Sequence, residues 1–254
     1  MKYLIMLFIL AFYSFTAIAQ QNRGAQREQI EPYGVLYGLG IGVSQEIYKG
    51  YDYRVIPLPI IGYRSEKLRI FGPFISYDAL NFSDVKLSIK AAPRFQGFDD
   101  SDSYIFENMA KRKVSMDAGL GLSIEKNNYK ADISTMFDVL GNSKGYESTA
   151  DLSRVFRYGP VFFEPKISIS YLDNNHVNYY YGVNADEVNA FTFAYQGKST
   201  INTTLGFSIS TPIFFDGFSS MSIEYTQFGS SITDSPLIED DANLSARFLF
   251  SKFF

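Results

Sequence analysis

His176 is the only histidine of the chain, and it is the first residue whose type could do chemistry. Its neighbours Asp173, Asn174, Asn175 and Asn178 are polar. A histidine-dependent lipase or deacylase also needs a serine, because a hydroxyl is unreactive without a positioned base. Serines precede His176 in the sequence, but none of them is part of a recognisable nucleophile motif. We therefore interpret His176 as a solvent-exposed loop residue, and we predict no catalytic residue and no enzymatic activity.

Two acidic stretches could bind a divalent cation through hard carboxylate oxygens. They are Asp99, Asp100 and Asp102, and Glu239, Asp240 and Asp241. Neither has the spacing of an EF-hand loop, and runs of charge are commonly just exposed to solvent. The chain also has no cysteine, which excludes disulfides and thiolate metal sites. We predict no bound metal.

Two further patterns could be taken for ligand sites. The glycines Gly38, Gly40 and Gly42 lack the G-x-G-x-x-G spacing and precede no helix, so no phosphate loop and no cofactor are predicted. The basic run Lys111–Lys113 precedes a strand and could contact anionic lipid headgroups or glycan. We interpret this run as positioning a strand end at the membrane interface, without a specific ligand.

Charge and composition restrict the class of protein. The chain has 23 basic and 27 acidic residues, spread along its length. It lacks the basic stripe that nucleic-acid binding requires, so we predict no nucleic-acid partner. Tyr and Phe are abundant, Trp is absent, and mean hydropathy is close to neutral. Such averages are typical of a transmembrane barrel, because its lipid-facing and lumen-facing residues alternate.

Periodicity predicts the elements that must carry these residues. Apolar and polar residues alternate from Val85 to Phe95, which covers the roughly 9–11 residues of a transmembrane strand. Asn127 and Asn128 predict a tight hairpin turn between two such runs. The inner face predicted by this alternation carries both signs of charge, which could either pair across the lumen or line a narrow aqueous path. The other clear runs are Val114–Glu125, Tyr129–Val139, Val161–Tyr171, Ile201–Ile209 and Met221–Tyr225.

Weaker candidates raise the prediction to about 12 strands, with a range of about 10–14. Pro57 and Pro59 are unusual inside a strand, since proline removes a ladder donor. A soluble β-sandwich also alternates, but long strands with Tyr and Phe near their ends favour an all-β, antiparallel transmembrane β-barrel in a single domain. The weaker candidates are Tyr33–Tyr48, Arg54–Arg64, Leu68–Ala79, Tyr146–Tyr158, Phe191–Gln196 and Ala242–Phe254.

The N-terminus predicts export to the outer membrane of a Gram-negative bacterium. Lys2 precedes an apolar run, Tyr3–Phe15, and then an A-x-A triplet that ends at Ala19, which is the order of a secretory signal peptide. The predicted division of the chain is a signal peptide (1–19), a flexible N-terminal segment (20–32) and the barrel (33–254).

The last strand and the long connections complete the prediction. Phe248, Phe250 and Phe254 share one face of a final strand, which resembles the signal read by the barrel assembly machinery of the outer membrane. Predicted partners are therefore that machinery, through Phe254, and outer-membrane lipid and lipopolysaccharide. The long polar connections 96–113, 172–190 and 230–241 are expected to lie in water. Strict alternation over 12 strands places the first two on the periplasmic side, with the chain ends, although periplasmic turns are normally short.

Four short blocks follow one another in a characteristic order: Pro57–Arg64, Asn108–Arg112, Tyr180–Val183 with Asp186 and Glu187 after it, and the terminal Phe254. From about Tyr33 onward the chain resembles the MipA/OmpV family. That resemblance implies an outer-membrane protein without catalytic residues. Some members are described as scaffolds that join a murein-degrading lytic transglycosylase to a peptidoglycan synthase, and others as adhesins.

The leading hypothesis is a non-enzymatic scaffold or anchor for these peptidoglycan-remodelling enzymes. Its predicted docking surfaces are the loops 96–113 and 172–190, on the periplasmic side. The alternatives are a small-solute channel, which would use the mixed charges of the lumen, and a surface adhesin, which needs the loops outside the cell.

Overall fold

The structure is a computed structural model that describes residues 33–254. The strand segments are β1 (Gly34–Gln45), β2 (Tyr53–Arg64), β3 (Leu68–Phe71), β4 (Phe74–Phe82), β5 (Val85–Arg94), β6 (Ser115–Lys126), β7 (Tyr129–Asp138), β8 (Tyr146–Arg154), β9 (Phe156–Tyr158), β10 (Val161–Leu172), β11 (Thr200–Phe214), β12 (Gly217–Gln227) and β13 (Ala242–Phe253). The helices are α1 (Asn174–Tyr181) and α2 (Ser230–Thr233). Neither, nor any other helix within 33–254, is long and apolar enough to cross a membrane.

These segments form one antiparallel sheet that closes into a ring, because β10 pairs with β11 and β13 pairs with β1. The short segment β9 continues β8 after Val155, and both pair with β10. Residues 33–254 therefore form a closed 12-strand barrel, as predicted. Asn127 and Asn128 have φ values of 52° and 67°, which a two-residue type I′ hairpin turn requires.

Two strand predictions are wrong, and their errors cancel in the count. The run Leu68–Ala79 is a hairpin of β3 and β4, which turns at Gly72 with φ +57°. The run Phe191–Gln196 is no strand, and Tyr195 makes only an isolated bridge to Val183. The count of 12 is right, but every strand between the two errors was predicted to run in the wrong direction.

The missed hairpin changes the side on which the long loops lie. With β3 and β4 in place, connections 46–52, 95–114, 139–145, 173–199 and 228–241 all lie at the end opposite Gly34 and Phe253. The short turns 65–67, 83–84, 127–128, 159–160 and 215–216 lie at the same end as those two residues. The predicted placement of the loops 96–113 and 172–190 beside the chain ends is therefore wrong.

The outer face of the wall is an apolar belt with aromatic side chains near both ends of the strands. In β1 the outward residues Val35, Tyr37, Leu39, Ile41 and Val43 are all exposed, which is the arrangement of a surface that faces lipid. Exposed rings near the short turns are Tyr33, Tyr63, Phe82, Tyr129, Tyr158 and Phe215, and those near the long loops are Tyr53, Phe137, Tyr171 and Tyr225.

Charged side chains of the inner face pair with one another. Arg94 on β5 binds Asp117 on β6 and, at 2.8 Å, Glu147 on β8. Lys166 Nζ lies 2.8 Å from Glu224 Oε1. Of the two arrangements that the sequence left open, these residues adopt the cross-linked one.

The end of the final strand, β13, pairs with the start of the first strand, β1. Phe254 donates its backbone N–H to the carbonyl of Val35 at 3.0 Å, and its ring centroid lies 4.8 Å from that of Tyr37. The predicted signal peptide and the predicted flexible segment 20–32 lie outside the described residues.

Candidate functional site in the loop cap

Four long loops fold together into a compact body at one end of the barrel, which we call the loop cap (residues 46–52, 95–114, 173–199 and 228–241). Because these loops leave the barrel at widely spaced points of the ring, a single core among them must lie over the lumen. The core contains Ile47, Tyr48, Phe98, Ile105, Phe106, Met109, Leu172, Val177, Tyr180, Tyr181, Val183, Ile232, Leu237 and Ile238. The prediction that these connections are polar and lie in water did not include this buried apolar core.

Helix α1 is the central element of the cap. Asp173 caps its N-terminus, and its carboxylate accepts from the N–H groups of His176 at 3.0 Å and Asn175 at 3.3 Å. An aspartate at this position satisfies donors that have no partner within the helix. The buried face of the helix carries aromatic and apolar side chains, including Tyr180 and Tyr181, and its polar face carries Asn175.

His176 lies on the buried face, so the prediction of a solvent-exposed histidine is wrong. Its side chain is 1% exposed, its Nε2 lies 3.4 Å from Gln96 Oε1, and its ring centroid lies 5.1 Å from that of Tyr180. Burial, together with the positive charge of Arg94, lowers the pKa of His176 to about 3. The imidazole is therefore neutral at physiological pH and packs as part of the core.

Arg112 is also buried, so the central residue of the basic run 111–113 does not lie at the membrane surface as predicted. Its guanidinium pairs with the Glu187 carboxylate through two contacts of 2.7 Å and donates to the carbonyl of Tyr179 at 2.6 Å. Burial would raise the pKa of Glu187, but hydrogen bonds from Arg112 and Asn184 outweigh it and lower the pKa to about 2. The pair joins the loop 95–114 to the loop 173–199.

Polar contacts join the loops of the cap to one another and to the barrel wall. Gln96, just after β5, donates to the hydroxyl of Tyr181 while its carbonyl oxygen faces His176. Tyr48 donates to the carbonyl of Tyr180 at 3.1 Å. These contacts hold three loops of the cap together, and Asp173 joins the cap to the wall by accepting from the backbone N–H of Tyr146 on β8 at 2.9 Å.

A cavity of about 280 Å³ opens beside α1, and the pair of Arg112 and Glu187 forms one wall. The asparagines Asn175, Asn178 and Asn184 and the Tyr179 side chain contribute polar groups to its lining. Its volume is close to the lower end of the roughly 300–1,000 Å³ range of small-molecule sites.

The other residues with possible chemistry are spread over the cap. Asp99 pairs with Lys111 at 2.5 Å, and Asp240 accepts from Gln45 at 3.3 Å. Within residues 33–254, no group of three or more His, Asp or Glu residues is arranged to hold a metal ion. The structure therefore does not join the two acidic stretches into one site.

The cap core was not anticipated from the sequence, although a signal for it was present. Ile105 and Phe106, and likewise Leu237 and Ile238, are adjacent apolar residues inside connections that lack strand periodicity. Water-exposed loops rarely need such pairs, and all four side chains are buried.

The family profile described as "MltA-interacting protein MipA" matches residues 37–254. Outer membrane protein Omp26La of Vibrio anguillarum is 30% identical over 77% of each chain. The protein named MltA-interacting protein of Escherichia coli K12 is 28% identical over 80% of this chain and 83% of its own length.

Solved structures of outer-membrane barrels are similar in outline. The NanC porin matches 86% of this chain and 99% of its own, with a TM-score of 0.47 and 9% sequence identity. Relatives named as outer membrane proteins and the closed barrel locate the chain in the Gram-negative outer membrane.

Proposed function

The chain belongs to the MltA-interacting protein MipA family, and from that premise we propose that it is a non-enzymatic outer-membrane anchor for a peptidoglycan-remodelling enzyme. The observation that carries the proposal is the loop cap, whose packed core lies over one end of the lumen. A barrel closed in this way is suited to holding a partner at the membrane rather than to passing solutes.

The side of the barrel that would bind such an enzyme follows from loop length. Outer-membrane barrels have short periplasmic turns and longer extracellular loops, so we assign the loop cap to the outside and the five short turns to the periplasm. We call the short turns with their flanking strand ends the periplasmic rim. A periplasmic enzyme would therefore bind this rim, and not the loops 96–113 and 172–190.

A small-solute channel is less well supported. A 12-stranded barrel lies between the filled 8-stranded barrels and the open 16-stranded porins, so its inner side chains decide whether a path remains. Here Arg94 bridges β5 to β8 beneath the cap, and Lys166 bridges β10 to β12. Both contacts narrow the lumen below a mouth that the cap already covers.

Capture of a purified lytic transglycosylase or murein synthase by the detergent-solubilised barrel tests the proposal. The rim double variant Lys67→Glu/Lys126→Glu alters two exposed side chains beside short turns. The matched control, Lys144→Glu/Lys198→Glu, alters two exposed lysines on the loop side. We expect the rim variant to weaken capture by about tenfold and the control to leave it unchanged. No capture by the wild type, or a loss confined to the control, would contradict the rim as the docking surface.

A further inference from the structure

The barrel wall has an opening between β2 and β5. The ladder between β2 and β3 covers only Gly62–Arg64 of β2, so within the described residues the stretch 53–60 has no strand partner on that side. The hairpin of β3 and β4 ends there, at Phe71–Phe74, and residues 93–94 of β5 extend past the end of β4. We call this opening the side window. Three strand spacings of about 4.8 Å make it roughly 14 Å wide at the hairpin.

Arg54 closes the side window at its cap end. Its guanidinium donates to the carbonyl of Phe95 at 2.6 Å and to that of Gly97 at 2.5 Å, and its Nε donates to Glu46 at 2.7 Å. These bonds join β2 to the segment that follows β5. The opening is therefore bounded on all sides, and it lies in the half of the wall nearer the cap.

The two prolines of β2 remove backbone donors from the edge of the window. Phe254 donates to the Val35 carbonyl, so the odd-numbered residues of β1 direct their backbone groups toward β13. Pro57 and Pro59 of β2 lie opposite two of these residues, Ile41 and Leu39. The backbone groups of the two prolines therefore point away from β1 and into the window. Ile61, another odd-numbered residue of β2, confirms this direction, because its carbonyl accepts from the N–H of Gly72 at 3.2 Å.

Pro93 removes a backbone donor from the opposite edge of the window, on β5. It pairs with Met116, whose carbonyl accepts from Val139 on the far side of β6. The backbone edge of Pro93 therefore also faces the window. An unpaired backbone donor in hydrocarbon is strongly destabilising, and proline removes one such donor at each of these three positions.

Apolar side chains line the window. The rings of Phe74 and Phe95 meet edge to face with centroids 6.4 Å apart on one side. On the lumen side of β2, Leu58 and Ile60 are buried, and Val55 and Ile61 continue the exposed apolar belt along its outer face. The window is thus an apolar recess that is continuous with the lipid-facing surface.

We propose that the side window seats one acyl chain of a lipopolysaccharide molecule from the outer leaflet. The recess opens to hydrocarbon, and it lies in the cap half of the wall, which is the lipopolysaccharide-containing leaflet when the cap faces outward as proposed above. An added strand from another protein fits poorly, because three backbone donors that such a strand would need are missing.

Native mass spectrometry of barrels extracted from the outer membrane tests this inference. Pro59→Trp places an indole at the edge of the window. Ile61→Trp, on the same strand and face but beside the paired part of β2, is the matched control. We expect wild type and Ile61→Trp to retain about one lipopolysaccharide per barrel, and Pro59→Trp to retain about tenfold less. Equal retention by both variants, retention of phospholipid instead, or a co-purifying peptide in the window would overturn the proposal.

A second measurement covers the case in which Pro59→Trp does not fold. A benzophenone side chain at Val55, which is exposed on the stretch of β2 that borders the window, should cross-link to lipopolysaccharide about tenfold more than one at Ile169, which is also exposed on the outer face but lies on a fully paired part of β10. Equal cross-linking at the two positions would overturn the assignment.

Discussion

At the scale of single residues, His176 and Arg112 are buried in the loops although their neighbours in the sequence are polar or charged. His176 lies in a run of asparagines but occupies the buried face of α1. Arg112 lies between two lysines but its charge is matched by Glu187 inside the cap. A buried charge is tolerated only when it is paired and hydrogen-bonded, and both conditions are met for Arg112.

We predict that the cap loosens as pH falls below 6.5, and that His176 is the cause. The pKa of His176 in the folded cap, about 3, lies below the ordinary value of 6.5. Between these two pH values the unfolded cap therefore binds a proton that the folded cap does not. Stability therefore falls with pH, by up to about 1.4 kcal/mol per unit for one group. Hydrogen exchange of α1 amides between pH 6.5 and 5, corrected for intrinsic rates, should show this slope in the wild type. His176→Phe should abolish it, and an unchanged slope in this variant would assign the effect to another group.

At the scale of elements, prolines of the wall lie where strand ladders are interrupted. Pro57, Pro59 and Pro93 face the side window, and Pro165 lies opposite the break between β8 and β9. The backbone N–H of Asp173, just after β10, donates to the carbonyl of Tyr146 on β8. Backbone groups alternate in direction along a strand, so those of the odd-numbered residues of β10, including Pro165, point toward β8 and the break after it. Proline is compatible with a strand when its missing donor has no acceptor to reach.

We therefore predict that Pro57→Val and Pro59→Val destabilise the barrel, although valine is the better strand residue. Each variant adds an N–H that faces the window without an acceptor, which costs about 1–3 kcal/mol. Urea unfolding in detergent, followed by loss of the heat-modifiable band, measures the effect. Ile41→Val, on the paired strand beside Pro57, changes side-chain volume without adding a donor and serves as the control. Greater stability in the proline variants would show that the added donors find partners.

At the scale of the whole molecule, the two ends of the barrel differ in structure. One end carries the cap, with its packed core and its small polar cavity. The other carries only short turns and both ends of the described chain. An anchor that binds a periplasmic enzyme requires the second end to face inward.

Epitope tags at two matched glycines test this orientation. Gly141 lies in a loop on the cap side and Gly159 in a short turn, and an added Cβ meets nothing within 4 Å at either position. We expect a tag at Gly141 to bind antibody on intact cells, and a tag at Gly159 to bind only after the outer membrane is permeabilised. The reverse result would place the cap in the periplasm and restore the loops as docking surfaces.

Local sequence patterns were sufficient to predict the class of fold and the outward face of the strands. Each of these depends on a period of two, which is local and can be read from a single run such as Val85–Phe95. The family resemblance is likewise supported by the profile match to residues 37–254. Local patterns failed at Gly72, which turns the chain within a run that was predicted to be one strand.

The direction of the middle strands, the loop cap and the side window could not be predicted locally, because each depends on how distant parts of the chain are arranged. Direction depends on the number of turns before a strand, so the single missed hairpin of β3 and β4 inverted every loop up to the false strand 191–196. The cap brings together residues as far apart as Tyr48 and Tyr180, and no local pattern encodes such a contact. The side window arises because β3 is too short to cover β2, a mismatch that exists only once the two strands are paired.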